Sequence, residues 1–431
     1  MARFLRSLIF LFILSVPLLG PVLDTVSQRN LESDKSHLFE NDLAEDTQPY
    51  RALGQNLTEA PLEGEEFIPV SSLGYRLRGA NFVYEGTGRS DLFPVAIIDT
   101  GADHNHEKIS PFLHLNNNTN EIVIDSINIQ NDLFGFDFAD NDLNAFDDYS
   151  FYYSYETVTG EYFKNFFKFG AQLLIEILVP STPGHGTHVT GTMLQACDNL
   201  CSVVPIRIKG SGTIRTLREV KRAVEYAKIR GYKLVNMSLG FRHRDIYNVD
   251  DDGTLTFEFK SDEIKVALDE LNHVMEEAKE MLFVVAAGNE TIHFQVDNEY
   301  SFPINFRLPN ILVVGAVDED GRLASFSNFD RDLINLYAHG VAVTNAWPRN
   351  TYRHASGTSM ASPLVAGLVG NLWTKNSSLS NLEIKSKFLN LLEERTLEFS
   401  RSNHKTYVDH TEQTKKPVIT PGDVEQLRDQ F

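Results

Sequence analysis

Five near-continuous apolar runs constrain this chain more than any other feature. They are LFPVAIIDTG (92–101), SVVPIRI (202–208), KLVNMSLG (233–240), MLFVVAAGN (281–289) and NILVVGAVD (310–318). Each is rich in Val or Ile and apolar at successive rather than alternate positions, the pattern of a strand covered on both faces. Helical patterns lie between them. LREVKRAVEYAKIRG (217–231) ends on a Gly stop, and SDEIKVALDELNHVMEEAKE (261–280) opens on Ser261 or Asp262 as its cap. A third helical pattern covers 381–396. Strands alternating with helices predict an α/β fold: a mostly parallel central sheet with helices on both faces. Ligands bind such sheets at the carboxyl ends of strands. Asp99, Ser238 and Asn289 stand at such ends.

The rest of the chain divides around this region. MARFLRSLIFLFILSVPLLG carries Arg3 and Arg6 ahead of an apolar run, Leu8 to Gly20, that is short for a bilayer span. It reads as an export signal over residues 1–27, cleaved near 20–27, which implies a secreted or periplasmic protein. Residues 28–75 are polar and acidic and read as a linker or short pro-segment. The domain itself is expected over 76–396, followed by a polar, weakly patterned tail over 397–431. No later segment looks membrane-spanning. The net charge of −20 argues against nucleic acid or an anionic membrane as the main partner. The only cysteines are Cys197 and Cys201. They read as a small disulfide loop if the chain meets oxidant, or as two free thiols; two thiols alone make a poor metal site.

The stretch VAIIDTGA (95–102) reads two ways. A strand ending in Asp-Thr-Gly suits an aspartic protease, and equally the Asp that orients a catalytic His. An aspartic protease needs a second such carboxylate, and the chain has no further Asp-Thr-Gly or Asp-Ser-Gly. It does contain PGHGTHVTGTM (183–193), with His185, and HASGTSMASPLVAG (354–367), with Ser359. A Ser hydroxyl is a weak nucleophile and needs a base to take its proton. His185 suits that role because an imidazole titrates near neutrality. Asp99 would hold the other ring nitrogen and stabilise the imidazolium as it forms. Ser359 precedes a small-residue helix, so its hydroxyl and N–H fall at a helix N-terminus that favours an oxyanion.

With Asp99, His185 and Ser359 in that order, and NMSLG (236–240) and VVAAGNE (284–290) between them, residues 76–396 resemble the subtilisin-like serine proteases, the subtilases. The resemblance implies a serine endopeptidase acting on protein or peptide substrates through an acyl-enzyme. It implies Asn289 as oxyanion donor beside the Ser359 N–H. Ser238, Leu239 and Gly240 would pair with the substrate backbone, and Ala286, Ala287 and Gly288 would line the pocket for the residue before the cleaved bond. No cofactor is needed for the chemistry, and a monomer is expected. The alternative is a catalytically latent, protease-like binding protein; the four intact catalytic positions speak against it.

Other features remain. His188 makes H-x-x-H with His185, but without a third ligand it reads as a packed or hydrogen-bonded histidine. His104 and His106 read as loop residues. GFDFADNDLNAFDD (135–148) carries five Asp and reads as a solvated loop, with a structural Ca²⁺ as the other option. Residues 149–182 are rich in Phe and Tyr and form an insertion relative to the family pattern. They read as a lid or recognition surface, or as extra packing. The segment 28–75 is short for a folded inhibitory pro-domain, and the Gly-rich close of the family is missing.

Overall fold

Val95 to Ile98 are almost wholly shielded from solvent, which places their strand, Phe93–Asp99 (β1), in the interior of the central sheet. The other strands of that sheet are Phe136–Asp137 (β2), Cys201–Arg207 (β3), Leu234–Met237 (β4), Leu282–Ala286 (β5), Ile311–Val317 (β6), Leu336–His339 (β7), Thr396–Phe399 (β8) and Thr414–Ile419 (β9). Their order across the sheet is β8-β9-β7-β6-β5-β4-β1-β3-β2. All neighbours are parallel except the edge pair β8 and β9. The computed structural model describes residues 66–71, 74–78, 83–86, 88–147, 184–208, 210, 212–250, 254–392, 396–399 and 414–431. The N-terminal segment read as an export signal and the aromatic segment 149–182 lie outside them.

Alternate residues of each strand face opposite layers, and the two layers divide the core cleanly. Ala96, Ile98, Val204, Val235 and Phe283 pack against Thr213–Arg230 (α2) and Asp262–Glu277 (α3). Val95, Ile97, Val203, Leu234 and Val284 pack against His185–Cys197 (α1), Thr358–Lys375 (α4) and Asn381–Leu392 (α5). The mostly parallel sheet with helices on both faces is therefore as expected. Ser261 caps α3 by accepting the Ile264 N–H, and Gly231 ends α2 in a left-handed conformation.

The topology sets the site. β1 lies between β3 and β4, so the chain passes to one side of β1 and then returns to the other. That reversal opens a crevice at the carboxyl ends of β1 and β4. Asp99 ends β1, and Ser238 follows the last residue of β4.

Three expectations are corrected. First, the domain boundary drawn at 76 falls inside a strand. Glu66–Ser71, Gly74–Arg78 and Val83–Gly86 form a three-stranded antiparallel sheet that begins within the expected linker. These strands are short, and their charged residues blend into the acidic stretch before them. Second, 397–431 is more than a tail. β9 joins the main sheet beside β7, and Pro421–Gln430 (α6) follows it. Val418, Ile419 and Leu427 are buried. With so few apolar residues the segment has little periodicity, yet the capping box of Thr420 and Asp423 around Pro421 was a readable helix start. Third, the acidic segment 135–148 is not a solvated loop. Phe136–Asp137 is strand, and Asp137 and Asp147 are buried. The buried carboxylates are spent on protein donors: Asp137 pairs with Arg207, and Asp147 accepts from Thr187.

Candidate active site

Asp99 is almost fully buried, and its Oδ1 accepts the Thr100 N–H at 2.8 Å and the His185 Nδ1–H at 2.7 Å. A carboxylate only accepts, so the His185 proton sits on Nδ1 and the other ring nitrogen is left with its lone pair. His185 is the first residue of α1 and is half-buried. Glycines bring it there. Gly184 sits at φ 96°, and a Cβ on it would meet the Trp347 ring at 2.5 Å. A Cβ on Gly186 would meet the Gly101 carbonyl oxygen at 2.1 Å, so the first turn of α1 lies directly against the chain leaving β1. Burial alone would lower the His185 pKa, but the charge and hydrogen bond of Asp99 outweigh it and the pKa is raised.

Ser359 is the second residue of α4 and is partly exposed. Its hydroxyl donates to the Ser238 carbonyl oxygen at 3.3 Å, and no hydrogen bond joins it to His185 in this structure. The Ser238 hydroxyl returns the link by bonding the Ser359 carbonyl at 3.0 Å, and it lies 3.0 Å from the Ser362 hydroxyl. Asn236 donates to the same Ser238 oxygen. The end of β4 and the start of α4 are thus stitched together by buried polar groups. Ser359 N–H lies in the first helical turn, where donors have no partner within the helix.

Asn289 is exposed beyond the end of β5, yet its side chain is oriented. Its Oδ1 accepts from the Thr358 N–H at 2.9 Å and from the Thr358 hydroxyl at 3.0 Å. A flipped amide would set its NH₂ against two donors, so Nδ2 is the end left for a ligand. The Thr358 hydroxyl in turn accepts the Gly288 N–H at 3.0 Å. Ser238, Leu239 and Gly240 lie outside any strand after β4, with Gly240 exposed. Ala286 ends β5 and Ala287 follows it, both buried, and a Cβ on half-buried Gly288 would crowd Asn328 Nδ2.

Sequence reasoning missed several groups here. Buried Asn328 accepts from Glu290 N and Ile292 N and donates to the Ala287 carbonyl, bracing the loop that carries Asn289. Thr358 sits inside the GTSMA motif, and only its neighbour was singled out. Asp147 and Thr187 tie the chain leaving β1 to α1. His104 and His106 lie in the loop after β1 but are fully buried. His106 Nε2 donates to the Thr351 carbonyl, fastening that loop to the hairpin Val343–Ala355. His188 is buried and donates from Nε2 to the Val343 and Arg353 carbonyls; burial pushes its pKa down to about 4, so it stays neutral. Cys197 and Cys201 form a disulfide between the end of α1 and the start of β3. Among the described residues no three His, Cys, Asp or Glu side chains are grouped to hold a metal.

Comparison with known proteins bears on the family and the fold. The sequence profile of the subtilase family matches residues 92–405. Subtilisin DY of Bacillus licheniformis is 32% identical over 213 residues, covering 47% of this chain and 68% of that protein. Subtilisin Savinase of Lederbergia lenta is 30% identical over 222 residues, covering 49% and 72%. Among solved structures, a lanthipeptide protease aligns with a TM-score of 0.50 at 16% identity, over 80% of this chain and 90% of that one. An epidermin leader peptide processing serine protease from Staphylococcus aureus aligns with the same TM-score at 19% identity, over 78% and 74%. At such identities the two structures speak for the fold alone. The family profile covers well over half of the sequence, and the chain belongs to the subtilase family of serine endopeptidases.

Proposed function

We propose that this chain is an exported, monomeric endopeptidase that cleaves protein or peptide substrates through an acyl-enzyme formed on Ser359. The observation that carries the reading is the 2.7 Å bond from His185 Nδ1 to buried Asp99, at the same end of the sheet as the N-terminus of α4. For attack, the Ser359 hydroxyl leaves the Ser238 carbonyl and turns its proton to His185 Nε2. Oγ then bonds the substrate carbonyl carbon while the C=O electron pair moves onto oxygen. Asn289 Nδ2 and the Ser359 N–H receive that oxyanion. Collapse expels the amine, which takes the proton from His185, and a water molecule repeats the sequence to release the acyl group. Asp99 holds the imidazolium throughout and takes no proton.

Substrate would lie along Ser238–Gly240 as an added strand, using backbone groups left outside the sheet. Ala286, Ala287 and Gly288 would bound the pocket for the residue before the cut. The basic, apolar N-terminus supports export, and no helix among the described residues is long and apolar enough to cross a membrane. The test is digestion of an unfolded protein substrate by the purified chain. Cleavage that Ser359→Ala abolishes supports the reading; cleavage that survives in Ser359→Ala defeats it.

A further inference from the structure

Asp147 is fully buried, and its side chain accepts hydrogen bonds from Thr100 and Thr187, with the Gly184 backbone also favouring its ionised form. Oδ2 takes the Thr187 N–H at 3.0 Å and the Thr187 hydroxyl at 2.7 Å. Oδ1 takes the Thr100 hydroxyl at 3.0 Å. Thr100 follows Asp99, and Thr187 lies two residues after His185. The same two hydroxyls are themselves acceptors. Thr100 Oγ1 accepts the Gly186 N–H at 2.9 Å, and Thr187 Oγ1 accepts the Asp103 N–H at 3.0 Å. The backbone adds a further tie, with Asp147 N–H donating to the Ala102 carbonyl and Ala102 N–H to the Ala145 carbonyl. Thr100, Ala102 and Asp103 belong to the chain leaving β1, and Gly186 and Thr187 to the first turn of α1.

We infer that Asp147 is a positioning residue for the Asp99–His185 pair: its carboxylate clamps the end of β1 to the first turn of α1, so the pair is aligned by the fold before substrate arrives. It touches neither the reacting atoms nor His185 directly. The inference rests on the triad reading above. A carboxylate suits the place better than an amide. It offers only acceptors to the donors around it, and it adds negative charge behind the imidazole that must become positive.

The titratable groups around this clamp are Asp99, His185, and the buried Asp103, His104 and His188. The Asp147 charge adds to that of Asp99 in raising the His185 pKa. Burial pushes the Asp147 carboxyl itself up to about 6, against the hydrogen bonds that favour its ionised form. Above that pH every carboxylate oxygen is free to accept; below it, a proton occupies one acceptor position and the clamp loosens.

The test uses the full chain and a chromogenic peptide, with kcat and KM measured from pH 5 to 9, melting temperatures for each protein, and fluorophosphonate labelling of the wild type. Asp147→Asn keeps the shape and removes the charge. The expected result is a kcat lower by roughly 10- to 100-fold, as for a small misplacement of catalytic groups, with KM little changed. The acid limb of kcat/KM should also move to lower pH. Should Asp147→Asn fail to fold, Thr187→Val decides, since it removes one donor at nearly constant shape; a lower kcat at unchanged KM is expected. A wild-type kcat and an unmoved acid limb in a folded variant, even with a lower melting temperature, would overturn the inference and leave Asp147 a mere helix cap. A wild type that takes no label would sink the triad reading and this inference with it. A labelled wild type with kinetically silent variants would sink this inference alone.

Discussion

Replacing Asn289 by Asp separates two tasks of one side chain. The Oδ1 atom accepts two bonds from Thr358, at 2.9 and 3.0 Å, and an Asp keeps that acceptor. What it loses is the Nδ2 donor, replaced by a second oxygen. Removing one oxyanion donor raises the barrier by roughly 3 to 4 kcal/mol, a figure measured in a subtilisin itself. A carboxylate there also repels the developing negative charge, so kcat should fall by more than about 10²-fold. KM should hold, because the neutral substrate carbonyl makes little use of this donor. The melting temperature should hold too, because Thr358 keeps both partners. Asn289→Leu supplies the contrast. It removes donor and acceptor together and leaves the buried Thr358 N–H and hydroxyl without their partner, costing about 1–3 kcal/mol of stability. Kinetics on a chromogenic peptide and thermal melts of both variants make the comparison. A folded Asn289→Asp protein whose kcat stays within about threefold of wild type would refute the oxyanion role.

Two further outcomes follow from the geometry. His185 must be neutral to act as base, and its pKa is raised above 6.5 because the charge and hydrogen bond of Asp99 outweigh its burial. Activity is therefore lost as pH falls through that raised value, and the acid half-point of kcat/KM should lie above 6.5; a flat profile from about pH 8 to 5 would contradict this. Gly367→Ala should destabilise the protein even though Ala favours helix by about 1 kcal/mol. A Cβ there would stand 2.3 Å from the Met193 carbonyl oxygen and 2.6 Å from the Ala196 Cβ, so α1 and α4 must part. A net loss of about 2 kcal/mol by urea unfolding is expected, and a gain would show that the two helices pack less closely than described.

The sheet was legible because its inner strands are buried on both faces. Val95–Ile98 and Ile311–Val317 are buried and apolar at every position, the pattern of a strand covered on both faces. The site was legible where glycine and a reactive side chain fall together, as in GHGTH and GTSMA. Helix starts and close backbone contacts need those residues locally. Long-range polar contacts were not legible. Asp147 and Thr187 are 40 residues apart, and an Asp inside an acidic run carries no mark of burial. Asn328 lies 38 residues from the Glu290 N–H that it accepts. The hairpin Val343–Ala355 also escaped notice, since its second strand is largely exposed. The β9–α6 closure holds too few apolar residues for periodicity to show, and only its unread cap could have marked it.

The most direct measurement is reaction of the purified chain with a fluorophosphonate, followed by mass spectrometry of its peptides. An activated serine next to an unprotonated imidazole should carry the adduct on Ser359, and labelling should weaken as pH falls through the His185 pKa. Ser359→Ala should take none. An unlabelled Ser359 in a folded protein, or an adduct that persists in Ser359→Ala, would contradict the nucleophile and the triad assigned to it.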